Sequence, residues 1–193
     1  MTHRRRNSRF RGRQRMRTAR ISWTSVGAME TVERCTVEHS EDGIRIIGEV
    51  DGGEHPCRYA LRLDADGRFH HAAITAGDRE LVIERTPEGW RVDGEERADL
   101  EGAIDLDISA TPATNTLPIR RLGLPVGGHA DIQTAWVRVP ELDVRLDAQR
   151  YTRVGPRAYC YESLDDGFRR TLTVDDDGFV LSYPGLFERV TGS

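Results

Sequence analysis

From residue 32 onward, apolar and polar positions alternate with a period of two, the mark of half-buried β-strands. GIRIIGEV (43–50) opens one strand. CRYALRLDADGRF then sets Tyr59, Leu61 and Leu63 on one face before a turn at Asp66-Gly67. HHAAITAGDRELVIERTPEGW reads as two strands joined at Gly77-Asp78, and EGWRVDGEE adds a short one that carries Trp90. GAIDLDIS places Ile104, Leu106 and Ile108 on one face, with Asp105 and Asp107 on the other. Further on, DIQTAWVRVP (131–140) aligns Ile132, Thr134, Trp136 and Arg138, and the alternation runs to the end of the chain with a hairpin at Asp177-Gly178. A parallel α/β fold would need helices of ten or more residues between strands, and no such pattern occurs. The pattern predicts a mainly β protein: about a dozen strands in a large antiparallel sheet that must curl or close on itself, interrupted by one short helix.

That helix is predicted in TPATNTLPIRRLGLPVGG (111–128), which breaks the alternation. Thr114, Asn115 or Thr116 would cap it, Pro118 fits a first turn, and Gly123 with Pro125 stops it. About six residues cannot hold a helix alone, so the sheet must bury it. Arg120 and Arg121 then need partners or a route to water.

Charge changes the picture at the front of the chain. Residues 1–29 contain nine arginines and no acid, whereas the remainder carries 19 basic residues against 32 acidic ones. The expected division is therefore a basic arm over 1–28 and a folded domain over 29–193. The arm reads as an over-called leader before Met29, a basic tail, or a weak export signal whose apolar segment is too short. An acidic body does not attract nucleic acid, so the folded domain is not expected to bind it. No run of about 18 apolar residues exists, and so no transmembrane helix is expected. Cys35, Cys57 and Cys160 are odd in number and widely spaced. They argue against a disulfide scaffold or zinc site and for a reducing, cytoplasmic setting.

The run DLDISATPATNTLPIRRLGL, with AWVRVPELDV, QRYTR, YCYES and VDDDGFVLSYPGLFERV after it, is similar to the Putative glycolipid-binding family, the spiral β-rolls. GEVDGGEHPCRYALRLDADGRF and EGWRVDG fit as well, so the resemblance spans about residues 33–190. It implies one long antiparallel sheet of some fifteen strands around a helix, a homodimer, and a glycolipid or other amphiphile as partner.

Two constellations carry the candidate chemistry. Asp105, Asp107, Thr114, Asn115, Arg120 and Arg121 would grip an anionic or sugar head group, since guanidinium forks suit carboxylate and phosphate. Alternatively, an aspartate–arginine pair ties helix to sheet while the threonines cap. The second set is Tyr59, Gln149, Tyr151 and Tyr161, with Tyr159 and Tyr183. Gln149 and Tyr151 share a face by period two, as do Tyr159 and Tyr161, and such a face suits an amphiphile or a packed tyrosine ladder. No histidine pattern predicts a metal site, and no cofactor motif is present. No nucleophile motif marks an enzyme. A catalytic reading would rest on a carboxylate such as Asp105 or Asp107 as general base. A structural dimer without a small ligand is the third class.

Overall fold

The computed structural model describes residues 17–27, 30–53 and 56–190. In them the alternation builds fifteen strands of a single sheet. They are β1 (Arg17–Ser25), β2 (Thr31–Ser40), β3 (Gly43–Gly52), β4 (Cys57–Leu63), β5 (Phe69–Ala76), β6 (Arg79–Thr86), β7 (Gly89–Val92) and β8 (Glu95–Glu96). There follow β9 (Asp105–Ile108), β10 (His129–Arg138), β11 (Asp143–Gly155), β12 (Ala158–Ser163), β13 (Arg169–Val174), β14 (Val180–Tyr183) and β15 (Phe187–Arg189). The sheet order is β8-β7-β6-β5-β4-β3-β2-β1-β15-β14-β13-β12-β11-β10-β9. The chain thus starts in the middle, runs out to one edge, crosses to the other and returns.

The crossing is short. Residues 97–104 link the two edges, anchored by Trp90 Nε1 donating to the Ala103 carbonyl (3.1 Å) and Arg97 Nη2 to the Val144 carbonyl (2.8 Å). The β9–β11 end of the sheet is covered on both faces. Leu106, Ile108, Ala135 and Val137 pack with Leu61, Ile74 and Ile83 from the outer strands. The opposite face carries Asp105, Asp107, Gln149 and Tyr151, all turned toward the helical segment. A sheet whose end lies inside its own curl is a spiral roll and not a closed barrel. The free edge β8 is two exposed glutamates long, which discourages pairing with other chains.

Three expectations change. First, the sheet is mixed: β9 and β10 run parallel, from Thr134↔Asp105 to Val137↔Ile108. Parallel neighbours need a crossover, and the misfit segment 111–128 supplies it. Second, the helical turn begins earlier than Thr114. Thr111 Oγ1 accepts from the Ala113 amide at the head of a 3-10 turn, Pro112–Asn115, which runs into α1 (Thr116–Leu122). Asn115 occupies the N-cap position of α1, as expected, but makes no capping bond, because the 3-10 turn continues the helical path upstream and frees its amide for other work. Gly123 ends α1 in the left-handed region (φ 51°), as its missing Cβ permits. Third, the folded region begins before residue 29. β1 lies between β2 and β15 with Ile21 and Trp23 buried. Arg17 and Arg20 belong to this strand, so basic composition was a poor guide to the boundary. The arm over residues 1–16 lies outside the described residues. Among the described residues, no helix is long and apolar enough to cross a membrane.

One buried acid sits where Thr111 meets the outer strands. Glu33 is 2% exposed; its Oε1 accepts from the Tyr59 hydroxyl and from Thr111 Oγ1 (2.7 Å), and Oε2 has no partner among the described residues. Tyr59 lies flat over Gly48, where a Cβ would stand 2.1 Å from the ring. Burial pushes the Glu33 carboxyl from 4.5 up to about 7, against the two hydroxyl bonds. In that window the folded protein holds a proton that the unfolded chain releases. Below the window this acid carries no ionisation penalty, and stability falls as pH rises through it. The Glu33→Gln variant should lose that slope and gain on the wild type by about 3 kcal/mol between pH 4.5 and 8, at ~1.4 kcal/mol per pKa unit. Urea midpoints at the two ends measure it, and an unchanged difference between variant and wild type would refute it.

Candidate functional site

The helical segment aims three side chains at the inner face of β9 and β11. Thr114 Oγ1 accepts from the Ile108 amide (3.2 Å) and donates to Asp107 Oδ1 (2.8 Å). Asn115 Nδ2 donates to the Tyr151 hydroxyl (2.8 Å). Arg121 forks onto Asp105, with Nη2 at 2.6 Å and Nε at 3.1 Å. Asp105 is fully buried, so this fork satisfies its charge and fastens helix to strand. Ile119 and Leu124 pack with Tyr151, Tyr159 and Tyr161 on the far side.

Beside this joint lies a cleft of about 170 Å³, lined by Asp107, Asn115, Trp136, Asp147, Tyr161, Ser163, Phe168 and Tyr183 among others. Gln149 is its hinge pin. One amide nitrogen, Nε2, donates to Asp107 Oδ2 (2.9 Å) and to Asp147 Oδ2 (3.0 Å), holding two carboxylates side by side. Burial raises the Asp107 pKa against the bonds from Thr114 and Gln149, and the charge of Asp147 adds to the rise. Asp147 is raised as well, chiefly by burial. At the rim, Asp166 is instead lowered by the Phe168 amide. Among the described residues the cation in the wall is Arg145, stacked 4.5 Å over the Trp136 ring and 3.8 Å from Asp147. The tyrosine side is rigid: Tyr161 meets Tyr151 edge-on at 5.4 Å and Tyr183 at 6.1 Å.

Chemically, the cleft offers fixed carboxylate acceptors on one wall and ring faces on the other. Acceptors of this kind suit hydroxyl donors, and ring surfaces cover apolar C–H faces. Among the described residues, no three His, Cys, Asp or Glu side chains are placed to hold a metal.

The predicted residues divide into three groups. Asp107, Asn115 and Tyr161 stand in the cleft wall, with Thr114, Gln149 and Tyr151 one hydrogen bond behind it. Asp105 and Arg121 are spent on each other. Arg120 and Tyr59 lie elsewhere, Arg120 exposed on another side of α1 and Tyr59 on Glu33. The constellation expected to share one site is thus split, because successive helical residues point about 100° apart. Asp147, Trp136 and Arg145 escaped the sequence reading. Asp147 was within reach, being two residues from Gln149 on the same strand face. The Trp136↔Arg145 pairing depends on the register of β10 with β11, which alternation alone does not set.

Residues 20–189 match the model of a family described as Putative glycolipid-binding. Among solved structures, the chain resembles a DUF1089 family protein from Pseudomonas aeruginosa, at 30% identity and a TM-score of 0.66, covering 98% of this chain and 100% of that one. No curated protein matches the chain.

Proposed function

The chain belongs to the Putative glycolipid-binding family, and on that premise we propose that it is a non-catalytic binding protein for a glycolipid or related amphiphile. The polar head group occupies the cleft beside α1. The observation that carries this reading is the pair Asp107 and Asp147, bridged by Gln149 and facing aromatic rings. Sugar hydroxyls donate to the carboxylates, and Trp136 or Tyr161 covers a ring face of the sugar. The homodimer implied by the family resemblance belongs to this reading. So does a reducing, cytoplasmic setting, which suits three buried free thiols. The acidic surplus of the folded region argues against nucleic acid as its partner.

Native mass spectrometry with dodecyl maltoside and with extracted glycolipid tests the proposal. A one-to-one adduct per chain is expected, weakened about tenfold (~1.4 kcal/mol) in Asp107→Asn, which keeps the shape and removes the charge. Absence of any adduct, or one indifferent to Asp107→Asn, would sink it. A second reading, an enzyme acting on a sugar-lipid, is favoured by the raised carboxylate Asp107 beside a second carboxylate in a cleft. Asp105 cannot serve as its base while Arg121 holds it. Free sugar accumulating in the same incubation, and lost in Asp107→Asn, would replace binding by catalysis.

A further inference from the structure

Arg120 and Arg121 are neighbours with unlike fates. Arg121 is neutralised by Asp105, whereas Arg120 is exposed and makes no hydrogen bond or ion pair among the described residues. Its stem packs at Gly178, where a Cβ would come within 3.1 Å of Arg120 Cγ, and that contact limits where the guanidinium can reach. It stands at the mouth of a second pocket of about 190 Å³, walled by Val37, Ile46, Leu63, Leu117 and Phe179. This pocket shares no lining residue with the cleft.

We infer that this pocket binds an aliphatic monocarboxylate, with the chain among the apolar side chains and the carboxylate on Arg120. Each part of the ligand answers a part of the site. The wall is apolar, and burying a chain there removes hydrocarbon from water. The volume is somewhat above the roughly 150 Å³ apolar cavity that takes up benzene, which sets the chain at about six to eight carbons. A planar guanidinium accepts a carboxylate through two parallel N–H donors, a fit an alcohol or an amine lacks. Burial, then Arg120 and Arg17, hold the imidazole of His39 below its usual pKa, against Asp177, which is itself paired with Arg17 at 2.9 Å. Within the pocket wall Thr116 adds a buried hydroxyl that has no hydrogen-bond partner among the described residues. The opposing charge at the mouth is Asp66, exposed at the β4–β5 turn and unpaired with Arg120. Water screens it, and it selects against dicarboxylates.

The test is calorimetric titration of the full-length protein with sodium octanoate, 1-octanol and octylammonium. Octanoate is expected to bind at least tenfold more tightly than octanol, and octylammonium least. Arg120→Gln erases the preference for octanoate, and Asp66→Asn strengthens octanoate binding a few-fold. Both positions are exposed, so unchanged melting temperatures keep the comparison clean. Methyl NMR places the octanoate shifts at Ile44, Ile46, Leu63 and Leu117. No saturable octanoate binding, equal affinity for octanol, indifference to Arg120→Gln, or shifts confined to the cleft would each overturn the inference. Asp107→Asn leaves octanoate binding unchanged, so this site and the cleft stand or fall separately.

Discussion

A chain shortened to begin at Met29 will not fold. The deletion removes β1, which pairs with β2 at eight positions from Arg17↔His39 to Thr24↔Val32 and with β15 at Trp23, Thr24 and Ser25. Among the described residues β1 alone joins the two halves of the sheet, so its loss leaves β2 and β15 as open edges. Long unpaired edges template aggregation. The deletion also empties the core of Trp23, which is fully buried and donates its indole N–H to the Val180 carbonyl (2.7 Å). Losing one such ring costs ~3–5 kcal/mol, against a total stability of about 5–15 for a domain. The loss of a whole central strand exceeds that margin. Circular dichroism and soluble yield measure the result, and a shortened chain that melts with the full one would contradict it.

The second large effect separates the two adjacent arginines. Arg121→Met leaves Asp105 fully buried without a counter-ion, and breaking a buried pair from one side costs about 3–5 kcal/mol. For a chain of this length that lowers the melting temperature by roughly 6–20 °C. Arg120→Met should stay within about 0.5 kcal/mol of the wild type, as exposed substitutions do. Adding Asp105→Leu to Arg121→Met should recover most of the loss, since the penalty lies in the stranded charge rather than in the missing bond. Thermal melts of the four proteins decide it. If the two single arginine variants melt alike, the buried pair is not what fastens α1 to β9.

Much of this was legible in the chain. The faces of β4 and β9, the turn at Asp66-Gly67, the stop at Gly123 and the single helix all follow from neighbouring residues. The sharing of a face by Gln149 and Tyr151 follows from the two-residue period. The folded region starts ahead of Met29 because Ala19, Ile21 and Trp23 alternate among the arginines, and only the neighbouring strands reveal their inward face. Asn115, one of the three expected caps, takes the N-cap position of α1, but the capping bond is made by Thr111, because a 3-10 turn carries the helical start upstream. Asp105 and Asp107 read as equivalents, yet one meets Arg121 and the other Thr114 and Gln149.

Alternation, turn residues and helix punctuation act between neighbours, and they determined by sequence alone that this chain makes strands, hairpins and one short helix. Tertiary structure decided the rest. It made the β9–β10 pair parallel, tucked the sheet's end inside its own curl, chose Arg121 over Arg120 for Asp105, and set Asp107 beside Asp147 across Gln149. Contacts of this tertiary kind join residues far apart in the chain, as Trp23 and Val180 are at 157 positions. They depend on register and curvature summed over many strands, and no local pattern encodes that sum.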